Sequence, residues 1–319
     1  MHRGELERIA SSEHIIRWVH VDRRGNIYYA VEMIRDPVSH VSDFEFHRVA
    51  ADLSRDERVY LVKGAEKLRV EDVAVDEGGV IYFSLGTYEE AGAPPSGWRS
   101  KLIRISGGDV EELAEVRGLI GDIAASANPT LGVFFATLYE DPAVYQYSRG
   151  QLRVIARGRG GSMASFLYIT LGRDGSLYWV YRETVPPPST SYWGYLEVAR
   201  MRPSSLRRGG GPEVLYARYF DDRGVGGWGP SNKLLRVSSM GDVFFNINFW
   251  RYSEEEGRSI SDHLCWLDPR TGSLTLLFSE VVYLADFTGF EFYFFVVDSQ
   301  GNLYVSLTKS GKIVKVYRQ

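Results

Sequence analysis

The sequence predicts an all-β protein, a six-bladed β-propeller with four antiparallel strands per blade, and three observations predict it. The first is a stretch that recurs along the 319 residues: an apolar strand, a tight turn closed by glycine, and a second strand that opens on an aromatic residue. It is clearest at Val297-Asp298-Ser299-Gln300-Gly301-Asn302-Leu303-Tyr304, returns around Gly25, Gly79 and Gly175, and has looser copies around Gly132 and Gly241. Asp or Ser opens such a turn by bonding its own backbone, and glycine takes the positive φ that other residues resist. The second observation is spacing. The six turn glycines lie 54, 53, 43, 66 and 60 residues apart, and an all-strand period of roughly 40 to 60 residues belongs to a propeller with one blade per repeat. The third is the set of doublets Tyr28-Tyr29, Tyr82-Phe83, Phe134-Phe135, Tyr178-Trp179 and Phe244-Phe245. Neighbours on a strand point to opposite faces, so both faces of each sheet must be covered, as they are when blades pack face to face.

The elements follow in chain order. Blade one takes strands at 14–21, 27–32, 44–49 and 58–62, and blade two at 70–75, 80–85, 101–105 and 110–116. Blade three takes 123–126, 133–138, 144–147 and 152–156, and blade four takes 166–171, 177–182, 195–201 and 213–219. Blade five is 234–237, 243–249, 263–267 and 274–278, with a c–d turn at Asp268-Pro269-Arg270-Thr271-Gly272. Blade six supplies three strands, 291–297, 303–307 and 313–317, and residues 5–10 are available as the fourth. Pairing the N-terminal strand into the last blade closes the ring and removes an exposed edge. Residues 1–319 thus read as a single propeller domain.

Composition bounds the function. Hydrophobic content of 44% with 13% aromatic residues supplies a large core, and a net charge of −4 argues against a general nucleic-acid binder. No run reaches transmembrane length and the N-terminus has no signal-peptide core, which points to a cytoplasmic protein without a membrane span. The single cysteine, Cys265, lies in an apolar strand beside Trp266, where a buried structural thiol is expected rather than a nucleophile.

The Asp-x-x-Gly-x-Leu-Tyr hairpins, as at Asp298 to Tyr304, resemble those of the six-bladed NHL-repeat and gluconolactonase-like propellers, and the likeness covers essentially the whole chain. These motifs speak for the fold and are nearly silent about activity. The resemblance implies that an enzyme of the gluconolactonase-like kind would hold a divalent cation in the channel, on an acidic residue, an asparagine and an aspartate at the starts of inner strands. The matching positions here are Arg17, Glu71, Gly121, Leu167, Lys233 and Tyr293, of which only Glu71 is of the ligand type.

Propeller connectivity sorts the remaining candidates. The a–b and c–d turns share one face; the b–c and d–a connections share the other with the starts of the inner strands. His14, Arg17, Glu71, Asp72, Asp122, Asn232, Lys233 and Glu291 are therefore expected around the channel mouth. Their oxygens suit Ca²⁺ or Mg²⁺ and His14 could act as acid or base; the competing expectation is that the acids pair with Arg17 and Lys233. Asp22, Asp76, Asp174, Asp242 and Asp298 belong to the opposite face as turn formers, and His20 and His47 fall inside strands as structural imidazoles. The glycine-arginine stretch 157–162 reads as a flexible loop because no helix follows it to bind a phosphate, and 202–211 reads as a mobile solvated turn.

Loop length is uneven. The longest insertions, 87–100, 184–194, 220–231 and 251–262, all belong to the b–c/d–a face, and they carry or border Trp98, Tyr192, Trp193, Trp228 and Trp250. Loops carry function on rigid scaffolds, and tryptophans on the solvent side serve binding. The sequence thus predicts a non-catalytic binding or scaffold propeller that recognises a protein segment or a glycan on this aromatic face, with no cofactor and no metal. The alternative is a lactonase-like or lyase-like enzyme using a channel-mouth cation or His14.

Overall fold

The computed structural model describes residues 14–36, 41–64, 68–88, 98–138, 141–158, 165–185, 193–220, 235–253, 257–283, 292–297, 303–307 and 312–316. The chain divides into two compact units, residues 1–135 with 145–153, and residues 136–144 with 154–319. It is an all-β protein built from successive antiparallel meanders.

In the first unit, β1 (His14–Val21), β2 (Ile27–Asp36), β3 (Val41–Val49) and β4 (Asp56–Val62) form one sheet in chain order. A second sheet contains β5 (Leu68–Val75), β6 (Ile81–Tyr88), β7 (Trp98–Ser106) and β8 (Asp109–Arg117) in the same order. β9 (Leu119–Ala125) then pairs with β10 (Val133–Leu138), which continues into β11 (Ala143–Ser148) and β12 (Gln151–Arg157). The division between the units passes through this third meander.

In the second unit, Leu138 at the end of β10 pairs with Ser165 at the start of β13 (Ser165–Leu171). β13, β14 (Leu177–Val185), β15 (Trp193–Met201) and β16 (Glu213–Phe220) then follow in order, with the short helix α1 (Pro203–Arg208) between the last two; these four strands continue the sheet of β10 to β12 and are called the fourth sheet below. β17 (Leu235–Val237), β18 (Val243–Ser253), β19 (Gly257–Asp268) and β20 (Ser273–Tyr283) make another four-stranded sheet. β21 (Phe292–Val297), β22 (Leu303–Leu307) and β23 (Lys312–Val316) make a three-stranded one. The expected closing strand at 5–10, and the turn with Asp298 and Gly301, lie outside the described residues.

The doublets do divide between two faces. Phe83 joins Trp18, Tyr28, Phe46 and Ile105 in one core, whereas its neighbour Tyr82 joins Leu102, Ile120, Ile123 and Phe135 in another. In the second unit Tyr178, Val180, Leu196 and Val198 pack with Leu235, Val243, Phe245 and Leu267. Cys265 is buried in that same core as a free thiol.

The turns work as their composition predicts. Gly25, Gly79, Gly132, Gly175 and Gly241 all take positive φ, between 67° and 88°. Asp22 Oδ1 accepts the amides of Arg24 and Asn26 at 2.8 and 2.9 Å, and Asp76 Oδ1 accepts those of Gly78 and Val80 at 2.8 and 3.0 Å. Asn128 and Ser238 fill this role in the looser copies. The aromatic that opens the next strand then closes the turn: Tyr28 donates its hydroxyl to Asp22. Phe244 has no hydroxyl, and Trp266 Nε1 donates to Asp242 from the neighbouring strand instead.

Two expectations are corrected. Residues 202–211 are not a solvated turn, because Pro203 starts α1, Gly209 ends it at φ 76°, and Leu206 is buried beneath it. Proline at the first helical turn and a left-handed glycine cap are a helix's own start and stop signals. The b–c insertion at 251–262 is also largely strand. β18 and β19 pair from Val243↔Leu267 out to Ser253↔Gly257, leaving 254–256 as the connection within 251–262. Trp250 is therefore a strand residue opposite Ile260. A long hairpin satisfies its own backbone groups by pairing, which a loop of the same length must do with water or side chains.

Candidate functional site

The inner strands share an irregularity. The register shifts between Ile16 and Trp18 in β1, Val70 and Val73 in β5, Phe166 and Tyr168 in β13, and Phe292 and Phe294 in β21. Arg17, Glu71, Leu167 and Tyr293 thus occupy matching bulges, and a bulge re-aims side chains and bends its strand. These are four of the six positions singled out through the family resemblance.

Of the expected channel-mouth set, the side chains of Glu71, Asp72 and Asp122 are described. His14 opens β1 opposite Met33 and Arg17 sits at its bulge, but their side chains lie outside the described residues, as do Asn232, Lys233 and Glu291 altogether. Asp72 and Asp122 are brought together: both accept the amide of Ile123, at 2.7 and 3.0 Å, and both are buried. The amide of Asp72 donates to Ser84 Oγ, and that of Ile120 to Ser100 Oγ. Ser84 also reaches the carbonyl of Ile120. These groups tie β9 to the second sheet, with each buried polar group answered by another. Among the described residues, no three His, Cys, Asp or Glu gather to hold a metal ion.

On the first sheet, Tyr29 donates to Asp56 at 2.6 Å, and the ring nitrogens of His47 lie 3.2 Å from Asp56 and from Glu45. Burial and the Asp56 carboxylate push the Tyr29 phenol well above its ordinary range. Burial opposes ionisation of Glu45, but hydrogen bonds from Arg58 and His47 outweigh it and hold the carboxyl low. His47 is a partnered structural imidazole, as its strand position predicts.

The aromatic candidates divide between the units. Trp98 opens β7 opposite Tyr88 in the first and is half-buried. Trp193 opens β15 opposite Val185 in the second, with Trp250 in β18. The side chains of Trp193 and Trp250, and Tyr192 and Trp228 entirely, lie outside the described residues.

Below Trp193 the fourth sheet carries an arrangement that the sequence reading missed. Aromatic rings cross its strands in a chain, Phe166 to Tyr181 at 4.9 Å, Tyr181 to Tyr195 at 6.3 Å and Tyr195 to Tyr219 at 4.8 Å. The inner members are buried, while Tyr219, on the outermost strand β16, is 56% exposed. Two half-buried carboxylates stand among them, with the Tyr181 hydroxyl donating to Glu183 at 3.4 Å and that of Tyr195 to Glu197 at 2.7 Å. Cross-strand pairing sets Tyr181 opposite Glu197, and Glu183 opposite Tyr195, in a checkerboard, with Tyr219 opposite Tyr195. Among the described residues neither carboxylate has a cationic partner. The inner side is fixed by Pro142 and Gly158: a Cβ on Gly158 would lie 2.6 Å from Pro142 and 2.8 Å from the Tyr181 ring. The signal was present as Tyr-x-Glu at 181–183 and again at 195–197, a period that puts both residues on one face of a strand.

No known family's profile matches the sequence, and no curated protein matches it. A similar solved structure is TolB from Acinetobacter baumannii, 14% identical, covering 93% of this chain and 64% of that one with a TM-score of 0.44. The chain spans less than two thirds of that protein's length. Among the described residues, no helix is long and apolar enough to cross a membrane.

Proposed function

We propose that this protein is a non-catalytic binding propeller of six blades, closed through residues 5–10, that recognises a protein segment or a glycan on the face of its b–c and d–a connections. One observation carries the reading: the chain of rings across the fourth sheet, which ends in the exposed Tyr219 beside the hairpin that Trp193 begins. The exposed Tyr219 ring gains nothing from water by itself, and a ring backed by buried rings and held by a sheet loses little freedom on binding. The two buried aspartates, Asp72 and Asp122, serve as backbone acceptors, which supports a structural role for the inner-strand acids.

A bound peptide or sugar is expected to quench tryptophan fluorescence, and alanine at Trp193 or Trp228 to weaken binding by about 2 kcal/mol, as hot-spot aromatics do. A partner crosslinked instead to the turn face of Asp22 and Asp174, with both tryptophan variants binding normally, overturns the reading.

A further inference from the structure

We infer that the tyrosine–glutamate checkerboard of the fourth sheet docks a basic peptide segment, with an arginine side chain laid against Tyr219 and its guanidinium held by Glu183 and Glu197. The inference rests on the binding-face reading above and names the chemistry of the partner. Glu183, Tyr195 and Tyr219 form one row in direct cross-strand register, and Tyr181 and Glu197 form the next. Among the described residues the two carboxylates meet phenol hydroxyls and rings and no cationic side chain.

A guanidinium answers both features. Its planar face stacks on a phenol ring, and its forked N–H groups match carboxylates. A neutral sugar could stack on Tyr219 but would leave both negative charges without a counter-charge. Charge complementarity therefore selects the cationic side chain. Tyr219 lies on the outermost strand of its sheet, with Glu197 one strand and Glu183 two strands inward, so an arginine side chain laid over Tyr219 runs toward both carboxylates.

The test uses the full chain and three probes: a short peptide alternating glycine and arginine, the same peptide with glutamine for arginine, and a neutral glucose oligosaccharide. Titration calorimetry is expected to detect the arginine peptide alone, with an affinity that falls as salt rises. The double variant Glu183→Gln with Glu197→Gln should weaken that binding at least tenfold while keeping the wild-type thermal midpoint. Tyr219→Ala should weaken it and Tyr219→Phe should not, since the ring rather than the hydroxyl stacks. Equal binding of the arginine and glutamine peptides overturns the inference, as does wild-type affinity in the double variant. Binding of the oligosaccharide alone overturns it too, yet leaves the aromatic binding face standing if Trp193→Ala abolishes that binding. Binding of no probe overturns it.

Discussion

Single residues decide whether this chain's carboxylates are chemistry or architecture. Asp22 is buried, which alone would raise its pKa, but hydrogen bonds from Asn26, Arg24 and Tyr28 outweigh the burial and hold it below the ordinary carboxylate value. A depressed folded-state value means that the stability from Asp22 is fully present above the unfolded value of about 3.9 and is lost as the pH falls through the folded one. Denaturant titrations from neutral pH into acid should therefore show a loss that Asp22→Asn reduces; parallel curves for the two proteins would refute this. Asp72 makes the complementary case. If it serves as a backbone acceptor for Ile123, Asp72→Ala should cost about 1 kcal/mol, the worth of one hydrogen bond, because Asp122 still accepts the same amide, and Asp72→Asn much less, because the amide oxygen can still accept. A neutral Asp72→Ala in urea unfolding would count against that role.

At the scale of elements, local signals were legible wherever they were complete within a few residues. The Asp-x-x-Gly turns are such signals, and the structure forms them at Gly25 and Gly79 with the predicted φ. The helix α1 had the same kind of signal in Pro203 and Gly209, but the arginines and glycines around it read as solvent-exposed loop. What holds it is Leu206, 1% exposed. Leu206→Ala is expected to cost roughly 2–4 kcal/mol, and a melting temperature within a degree of wild type would mean that the burial of Leu206 does not stabilise the fold. The extended hairpin of β18 and β19 was missed for a related reason. Polar residues such as Ser253, Glu254, Glu255 and Glu256 hide the alternation that continues on either side.

For the whole molecule, the repeat is the governing fact. In the second sheet Phe83 and Tyr82 bury opposite faces in two different cores, so this meander draws stability from neighbouring strands on both sides, as stacked repeats do. The proposed ring closure extends this to the last sheet, whose described strands number three. Deleting residues 1–10 should expose the edge of β23 and cost several kcal/mol, on the order of one strand's burial. An unchanged thermal midpoint in the truncated chain would remove the closure from the proposal.

The sequence by itself determined the β class, the position of the turns and the buried fate of Cys265, because each follows from a period of two or from a turn that a few adjacent residues complete. Tertiary structure alone decided which acids meet. Asp72 and Asp122 are 50 positions apart and converge on one amide, while Glu183 and Glu197 come together among three tyrosines through strand register. Register is set by the turns and by packing on both faces of a sheet, and a shift of one residue would turn every one of these side chains to the other face. No window of sequence contains that information.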